Sequence, residues 1–261
     1  MLRPRIIPTL LVHKKGLVKT EAFKQSKYVG DPINAVKIFN EKEVDELIVL
    51  DIDATIEKRG PDFELINNLA IECRMPLCYG GGVTSVEEAR KIVELGAEKV
   101  AFSAAAIKNV NLLKEVGDII GLQSVVVVLD YKSKGLFNKL ELFTHNGTKS
   151  TGINLFDFIR KLNVIGVGEI VLNSIERDGK MNGYDISTVE KVRNIFKGPI
   201  TVLGGAGELD DIKKLTNKFK IIGAAAGSLF VFKGKYKAVL INYPSKEERI
   251  KIYNETNHTI L

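Results

Sequence analysis

"VDELIVLDID", residues 44–53, decides the fold, because a closely similar stretch recurs in the second half of the chain as "VGEIVLNSIE", residues 167–176. "PLCYGGG" at residues 76–82 recurs in the same way as "PITVLGG" at residues 199–205. Both pairs share an offset of 123 residues, from 44 to 167 and from 76 to 199. Internal similarity at a period of half the chain is typical of a duplicated architecture, so we expect two equivalent halves.

Eight short aliphatic runs alternate with amphipathic stretches along the chain. The runs are "RIIPTLL", "ELIVLDI", "PLCYGGG", "KVAFSA", "SVVVVLD", "EIVLNSI", "ITVLGGAG" and "KIIGAAAGS". They predict buried parallel strands, and parallel strands need helical crossovers such as "TSVEEARKIVELG", where Ser85 and Glu88 have capping-box spacing. The predicted fold class is therefore α/β, a (β/α)8 TIM barrel made of two duplicated half-barrels.

A single barrel domain is expected over residues 1–261. Its half-barrels would cover roughly residues 1–122 and 123–240, and a C-terminal tail would cover residues 241–261. One piece departs from the alternation, because residues 131–151 alternate apolar and polar side chains around Asn146-Gly147. That dipeptide predicts a β-hairpin after strand 5, which would cap the active face at the C-terminal ends of the strands.

Composition narrows the classes of function. The chain has 261 residues, of which 45% are hydrophobic and 27% charged, and its net charge is +6. No apolar run approaches the roughly 18 residues that span a bilayer, and the lysines are spread along the chain. We therefore predict a cytoplasmic protein that binds neither membrane nor nucleic acid. The histidines and cysteines have no metal-like spacing, so we predict no metal and no cofactor.

Two glycine-rich strand ends occupy equivalent places in the two halves, Gly80-Gly81-Gly82 and Gly204-Gly205-Ala206-Gly207. Glycine lets backbone N–H groups approach an anion closely, and the dipole of a following helix adds to the attraction. Either run alone is also compatible with a tight turn between strand and helix. Together they predict a phosphorylated small molecule with a phosphate at each end. Further residues that strengthen the second site are Asp178, Gly179, Gly227 and Ser228.

Four charged residues begin otherwise apolar strands at the opposite end of the predicted barrel. They are Arg5, Glu46, Lys99 and Glu169. A charge at the barrel floor is costly unless it is paired, so two acids and two bases are expected to form a ring. One interpretation is a salt-bridged plug that closes the floor. The other is a gate that a neutral small molecule passes and ions do not.

The sequence resembles one protein family, the cyclase subunit of imidazole glycerol phosphate synthase, HisF. The resemblance covers nearly the whole chain and is carried by "DELIVLDI", "EKR", "YGGGV", "GAEKVAFSAAA", "SIERDGKMNGYD" and "GGAG". It implies that a HisH-like glutaminase docks on the barrel floor, with Glu98 as a contact. It also implies that the four floor residues gate ammonia on its way to a bisphosphate substrate. The expected lining of that passage includes Ile48, Cys78, Ala101 and Val126.

The family's catalytic pair is matched only in part. The resemblance implies two aspartates at the ends of strands 1 and 5 that act as general acid and base. Asp130 matches the second, whereas Leu11 stands at the first. Replacing that carboxylate by an isobutyl group removes a proton transfer, a step typically worth ~10²–10⁴ in rate. An alternative, purely structural role for Asp130 is to bond Lys132 or Lys19 or to cap the hairpin.

The resemblance carries over the substrate-binding residues with some departures. "Ser103-Ala104" stands where the family usually has Asn-Thr, and Leu203 replaces a hydroxyl-bearing residue. Asp51 has an alternative interpretation as a structural partner of Arg59 or Lys58. The implied phosphate and substrate contacts are Lys19, Asp51, Gly81, Gly82, Ser103, Asp178, Gly179, Gly204, Gly205, Gly227 and Ser228.

One branch of the family fits these departures. Residues 223–244 and the "PTLLV" of strand 1 resemble HisF-like proteins associated with glycosyl amidation, which accompany a HisH-like glutaminase and an N-acetyl-sugar amidotransferase. The favoured hypothesis is therefore a subunit that channels ammonia to such an amidotransferase for acetamidino-sugar formation in surface glycans. Two alternatives stay open, a working cyclase subunit of histidine biosynthesis and a non-catalytic scaffold that binds phosphorylated sugars.

Overall fold

The predicted barrel is confirmed by the structure, a computed structural model that describes residues 3–135 and 137–257. Its strands are β1 (Arg5–His13), β2 (Gly16–Glu21), β3 (Lys24–Gly30), β4 (Leu47–Asp51), β5 (Leu77–Gly80), β6 (Lys99–Phe102), β7 (Val125–Lys134), β8 (Lys139–Thr144), β9 (Lys149–Asn154), β10 (Glu169–Ser174), β11 (Ile200–Leu203), β12 (Gly223–Ala226), β13 (Phe232–Lys233) and β14 (Ala238–Val239). Eight of them follow the parallel order β10-β11-β12-β1-β4-β5-β6-β7, and pairing of β7 with β10 closes the barrel. Six of these eight strands lie entirely within the predicted aliphatic runs, whereas β1 and β7 begin in theirs and continue beyond them.

Helices link the barrel strands and cover their outer face. They are α1 (Pro32–Glu41), α2 (Phe63–Glu72), α3 (Val86–Glu94), α4 (Ala104–Lys108), α5 (Asn111–Ile120), α6 (Leu155–Ile165), α7 (Ile186–Ile195), α8 (Leu209–Phe219), α9 (Ser228–Val231) and α10 (Lys246–Asn257), with a 3-10 turn at Leu122–Ser124. The predicted capping box is present at the start of α3, where the Ser85 and Glu88 side chains each bond the other residue's N–H. Such caps satisfy N–H groups that have no partner within the helix.

The hairpin predicted after strand 5 is present. β7 continues beyond the barrel and pairs antiparallel with β8, which in turn pairs antiparallel with β9. His145, Asn146 and Gly147 all have positive φ, between 52° and 71°. The prediction of a turn at Asn146-Gly147 is therefore confirmed, and the positive φ values are those that such hairpin turns require.

A second hairpin, β2–β3, follows strand 1 and was not predicted from the sequence. Nearly all of β3 is exposed, so it has no apolar alternation that could have predicted it. The hairpin is instead held by its surroundings, because β2 pairs with the end of β1 and the Ala22 N–H donates to the Asp178 carbonyl at 2.9 Å. Lys19 consequently lies on a strand rather than in a loop.

Apolar side chains form two separate layers. The larger layer lies between the strands and the surrounding helices. The smaller one fills the barrel interior, and its side chains are small or of medium size with no aromatic ring. Because side chains alternate between the two faces of a strand, each barrel strand contributes to both layers.

The two ends of the chain are joined at Asp45, on the barrel floor. Its carboxylate accepts hydrogen bonds from the Ile6 N–H at 2.8 Å, from Arg3 at 3.1 Å and from the Tyr253 hydroxyl at 2.5 Å. The Tyr243 hydroxyl donates to the Ile6 carbonyl at 2.8 Å and accepts from the Asp45 N–H. Asp45 thus joins β1, the start of β4 and the C-terminal segment in one network.

An Asp45→Ala variant is expected to lose about 3 kcal/mol of unfolding free energy, because it removes an acceptor that satisfies three donors, one of them charged. Urea unfolding followed by circular dichroism measures this. Tyr253→Phe is the matched control, because it deletes one hydroxyl and should cost only about 1 kcal/mol. Equal losses in the two variants would show that Asp45 is not the centre of the network.

The predicted half-barrel limits at residues 122 and 123, and the start of the tail at 241, stay predictions. The predicted domain and tail also include residues 1, 2, 136 and 258–261, which lie outside the described residues. Within residues 3–135 and 137–257, the structure contains no helix of the length and apolar character that a membrane crossing requires.

Candidate functional site

One cavity at the C-terminal ends of the barrel strands brings the predicted active-face residues together. Its volume is about 590 Å³. The two hairpin turns border it, since His145 and Phe23 are among its lining residues and a Cβ at Gly147 would lie 3.1 Å from the Phe23 ring. The predicted residues in its wall are Leu11, Lys19, Asp51, Gly81, Gly82, Ser103, Asp130, Asp178, Gly179, Gly204, Gly205, Gly227 and Ser228.

The two glycine-rich strand ends face each other across the cavity. They follow β5 and β11, which stand four places apart in the eight-stranded order. At Gly81 φ is 127° and a Cβ would lie 2.5 Å from the Asp51 carbonyl, while at Gly205 φ is 110° and a Cβ would lie 2.1 Å from the Gly183 carbonyl. Both positions therefore require glycine. Two backbone-lined sites on opposite walls suit a ligand with an anionic group at each end.

Asp130 is bonded to Asn173, its cross-strand neighbour. The Asn173 Nδ2 donates to Asp130 Oδ1 at 2.7 Å, and Lys132 donates elsewhere, to the Gly147 carbonyl at 3.1 Å. The alternative that Asp130 bonds Lys132 or Lys19 is therefore wrong. Burial raises the pKa of Asp130 to about 7, although the hydrogen bond from Asn173 acts to lower it. A carboxyl group that titrates near neutrality can both give and take a proton.

Leu11 lies across the barrel from Asp130, since β1 and β7 are also four places apart. It pairs with Leu50 on β4 and Val18 on β2, and it lines the cavity. Its side chain carries no titratable group. The cavity therefore presents a carboxyl group on one wall and an aliphatic side chain on the wall where the resemblance placed the other.

Asp51 is held by an ion pair. Arg59 binds it in a bidentate manner, at 2.7 Å and 3.0 Å, and the backbone N–H of Asp53 donates to it at 3.0 Å. The interpretation of Asp51 as a partner of Arg59 is thus confirmed. Because Arg59 also lines the cavity, the pair places a guanidinium group beside the first glycine-rich site.

Lys19 reaches the second glycine-rich site from β2. It is buried, its Nζ donates to the Thr9 carbonyl at 2.5 Å, and a Cβ at Gly227 would lie 2.7 Å from that Nζ. Burial lowers the pKa of Lys19 to about 8, and the charge of Asp178 opposes the effect. Burial also raises the pKa of Asp178, which accepts a hydrogen bond from the Thr20 hydroxyl at 2.7 Å.

Two buried oxygens in the cavity wall have no hydrogen-bond partner within the described part of the chain. They are Thr9 Oγ1 and Asn173 Oδ1. Buried polar atoms are normally satisfied, and these two exceptions belong to residues that line the cavity. Neither residue was predicted to belong to the site. Each is a polar residue inside an aliphatic run, "RIIPTLL" or "EIVLNSI", and this pattern could have identified it as a candidate.

The four floor residues form the predicted ring. Arg5 contacts Glu46 and lies 2.7 Å from Glu169, while the Lys99 Nζ lies 2.7 Å from Glu46 and 2.8 Å from Glu169. Each cation thus contacts both acids, and the ring is neutral overall. The two glutamates are 4% exposed, but Arg5 is 26% and Lys99 20% exposed, so solvent reaches the ring from the side of its cations.

Neighbouring charges favour the ionised forms of Lys99 and Glu169. Burial acts to lower the pKa of Lys99, but the charges of Glu169 and Glu46 outweigh it and raise the pKa. Burial acts to raise the pKa of Glu169, but Arg5 and Lys99 lower it to about 2. The predicted partner contact, Glu98, lies exposed beside Lys99.

An apolar column joins the ring to the cavity. Ala101, Val128 and Leu203 belong both to the column and to the cavity wall, so the two are continuous. Burial raises the pKa of the Cys78 thiol well above its usual range, which keeps this sulfur uncharged. The column consists of Ile7, Ile48, Cys78, Ala101, Val126, Val128, Val171, Leu203 and Ala225, with Leu50 packed against it.

The described residues contain no group of three or more His, Cys, Asp or Glu side chains that could hold a metal ion. The groups in the cavity wall include the Asp130 carboxyl group of near-neutral pKa, the buried Lys19, Arg59 and two glycine-rich backbone segments.

Stability should depend on pH through Asp130. The folded protein keeps its proton up to about pH 7, whereas an ordinary aspartate loses it near pH 3.8, so rising pH destabilises the fold within this window. An Asp130→Asn variant has no such titration. The difference in unfolding free energy, variant minus parent, should therefore increase between pH 4 and pH 7 and then level off. Urea unfolding at a series of pH values measures it, and a constant difference would contradict the expectation.

Comparison with known proteins gives consistent matches over nearly the full chain. The sequence profile of the family described as "Histidine biosynthesis protein" matches residues 5–237. The chain is 55% identical over 251 residues to the Vibrio vulnificus protein named "Putative imidazole glycerol phosphate synthase subunit hisF3", covering 96% of each chain. It is 36% identical over 247 residues to the imidazole glycerol phosphate synthase subunit HisF of Natranaerobius thermophilus, covering 95% of this chain and 98% of the relative. For HisF of Lactococcus lactis subsp. cremoris the identity is 37% over 230 residues, covering 88% and 89%.

Proposed function

Because the chain belongs to the HisF family of histidine biosynthesis proteins, we propose that it is the barrel subunit of a glutamine-dependent synthase complex and conducts ammonia through its interior. The ammonia would come from a HisH-like glutaminase docked on the barrel floor, with Glu98 as one contact. It would leave at the cavity on the opposite face. The ion-paired ring at the floor, continued by the apolar column, is the observation that carries this proposal.

The ring and the column suit a neutral molecule. An ammonium ion entering the column would lose its hydration without gaining a partner, because no side chain of the column is charged. Uncharged NH₃ avoids this cost. Each cation of the ring contacts both acids, so displacement of Lys99 would open the floor while Arg5 still neutralises part of the acidic charge.

The fate of the ammonia is the finer part of the proposal. Leu11 provides no proton transfer opposite Asp130, which argues against ring closure in this cavity. We therefore propose that the ammonia passes on to a separate N-acetyl-sugar amidotransferase, which converts an acetamido group into an acetamidino group in surface-glycan synthesis. The resemblance of residues 223–244 and "PTLLV" to glycosyl-amidation proteins supports this branch, whereas the names of the relatives do not.

A second candidate function is that of a working cyclase subunit, and the relatives' names favour it over the glycan role. Asp130 and the two glycine-rich sites are retained in the cavity, and the pKa of Asp130 near 7 suits proton transfer. In this case Asp130 or Asp178 would have to supply the step that an acid at position 11 performs elsewhere. The two candidates differ in whether the imidazole ring forms here.

The conduit is tested with the purified chain, the HisH-like glutaminase and the amidotransferase of the same organism. Lys99→Ala should leave glutamine hydrolysis active but uncouple it from acetamidino-sugar formation. Product formed from ammonium salts should not change. Lys114→Ala, an exposed lysine on α5, is the control. If Lys99→Ala left glutamine-dependent product formation intact, the gate assignment would be wrong.

The cyclase candidate needs a separate assay. The purified chain is supplied with ammonium salts and the bifunctional ribosyl substrate of imidazole glycerol phosphate synthase. The conduit proposal expects only trace formation of the imidazole product. Robust turnover by the isolated chain would establish the cyclase and refute delivery to a separate enzyme.

A further inference from the structure

A lysine-rich surface lies beside the cavity but is not part of it. It consists of residues 24–28 on β3 and residues 233–237 on the β13–β14 hairpin, which we call the rim patch. The two segments, "KQSKY" and "KGKYK", contain five lysines and no acid. Neither segment contributes a residue to the cavity wall. None of the roles proposed above uses this surface.

The two segments form one continuous surface. The Lys27 Nζ donates to the Lys237 carbonyl at 3.3 Å and lies 5.1 Å from the centre of the Phe232 ring. These contacts hold the β13–β14 hairpin against β3. The fold therefore brings together the charges of two stretches that are far apart in sequence. Lys27 and Lys237, for example, are separated by 210 residues.

Each segment of the rim patch is close in the chain to a residue of the cavity wall. Phe23, in the turn that precedes β3, lines the cavity, and Ser228, at the start of the short helix that precedes β13, lines it as well. A molecule seated on the rim patch would consequently lie next to the opening. Acids flank this segment of β3 at Glu21 and Asp31. The backbone of Glu21 pairs with that of Lys24 across the β2–β3 hairpin, and the Asp31 side chain caps α1.

Exposed apolar groups accompany the charge. Tyr236 is 90% exposed and Tyr28 66% exposed, and Val239 and Leu240 follow the patch at 45% and 51%. These are four of the eleven large hydrophobic side chains that are exposed in the described part of the chain. Tyrosine is enriched among the residues that dominate protein–protein binding energy, and clustered exposed apolar surface marks interaction sites. A surface that only serves solubility would carry lysines without the aromatic rings.

We propose that the rim patch is the docking surface for an acidic protein, the enzyme that takes up ammonia at the cavity mouth. This inference rests on the proposed conduit function and adds the surface and the charge of its acceptor. Complementary charge would steer the partner to the mouth, and Tyr28 and Tyr236 would become buried in the contact. Glutaminase at the floor and acceptor at the rim then occupy opposite ends of the barrel.

The chemistry of ammonia explains why a protein should bind at the rim patch. Ammonia released into water at neutral pH is protonated, and the ammonium ion is not a nucleophile. A partner that covers the mouth excludes water and keeps the nitrogen uncharged until it reacts. A small ligand would need a concave pocket, and the rim patch lines neither the cavity at the strand ends nor the smaller one beside Asp53 and Arg59.

The test compares three full-length variants with the parent. The first reverses the charge of the hairpin, Lys233→Glu/Lys235→Glu/Lys237→Glu, and the second is Tyr236→Ala. The control, Lys114→Glu/Lys161→Glu/Lys191→Glu, makes the same change in net charge at exposed positions on α5, α6 and α7. Binding to the amidotransferase of the same organism is measured by calorimetry at several salt concentrations.

The hairpin reversal should weaken binding at least about tenfold and remove most of its salt dependence. Tyr236→Ala should weaken it by roughly tenfold to a hundredfold, while the control binds as the parent does. Stimulation of the glutaminase should be equal in all four proteins, because the floor is unchanged. Glutamine-dependent product formation should fall in parallel with binding.

Several results would overturn the inference. Parent-like binding by the hairpin reversal and by Tyr236→Ala excludes the rim patch as the docking surface. Equal weakening by the control shows a non-specific charge effect. Patch-dependent binding to vesicles of equal parts phosphatidylglycerol and phosphatidylcholine, or to a single-stranded oligonucleotide, without binding to the enzyme, assigns the surface to a different partner class. A failure of the conduit itself is recognised separately, by the Lys99→Ala assay, which does not involve the patch.

Discussion

Glu169→Ala is expected to lower the unfolding free energy by about 3–5 kcal/mol, the loss typical of removing one partner from a buried ion pair. Glu169 is 4% exposed and lies 2.7 Å from Arg5 and 2.8 Å from Lys99. Without it, two cations at the barrel floor share only Glu46. One positive charge then remains without a counter-charge in a partly buried position. Chemical denaturation of the isolated chain measures the loss.

The pH dependence of this loss has a definite sign. The pKa of Glu169 is lowered from 4.5 to about 2 in the folded protein, because Arg5 and Lys99 outweigh the effect of burial. Its contribution is therefore complete above pH 4.5 and is lost as the pH falls towards 2. The difference between parent and Glu169→Ala should shrink on acidification. A difference that grows instead would contradict the ion-pair explanation.

A double variant provides the matched control. Glu169→Ala/Lys99→Met removes one acid and one base, so Arg5 and Glu46 remain as a neutral pair. It should be more stable than Glu169→Ala alone, because the unpaired charge is gone. If the two losses simply add, the residues do not act as one ring. The double variant should also leave the floor open, and glutamine hydrolysis would then be uncoupled from product formation.

Leu11→Asp is expected to raise imidazole-forming activity by ~10²–10⁴, the usual contribution of a positioned acid or base. The new carboxylate would face Asp130 across the cavity, because β1 and β7 stand four places apart in the barrel. It would also lie in the same cavity as Lys19, whose positive charge favours the ionised form. Steady-state assays with ammonium salts and the bifunctional ribosyl substrate measure the gain.

Two further variants distinguish the effect of proton transfer by Leu11→Asp from the effect of the changed side-chain shape. Leu11→Asn has nearly the same volume as Leu11→Asp but cannot take up a proton, so it should stay at the parent level. Leu11→Asp/Asp130→Asn should lose the gain, since one of the two carboxyl groups is again absent. Equal rates for Leu11→Asp and Leu11→Asn would show that the missing acid does not limit the reaction.

The barrel could be predicted because each of its strands is an aliphatic run and the two halves repeat at one offset. The hairpin after strand 5 was predictable from Asn146-Gly147, since that dipeptide adopts positive φ readily. The β2–β3 hairpin carries no such local signal. It is stabilised by distant groups, above all the Asp178 carbonyl that accepts from the Ala22 N–H, and a sequence pattern does not show tertiary contacts of this kind.

The residues of the site also divide into those that the sequence pattern predicts and those that depend on tertiary contacts. Residues placed by the strand ends, such as Gly81 and Asp130, were found because the barrel topology brings all strand C-termini to one face. The pairing of Asp130 with Asn173 was not predicted, because it depends on the register between β7 and β10. Thr9 was missed for a different reason. Its hydroxyl matters only because the surrounding cavity wall leaves it without a partner in the described residues.

The junction at Asp45 has a consequence for how the chain is made. The first strand pairs with β12, so the edge of β1 stays unpaired until residue 226 has emerged from the ribosome. The Asp45 network closes later still, because it requires Tyr253. A nascent chain thus carries an open sheet edge until β12 is available, which is the kind of exposure that promotes misassembly. Final closure of this barrel therefore has to wait for β12 and then for Tyr253, and chains truncated before Tyr253 should depend on chaperones.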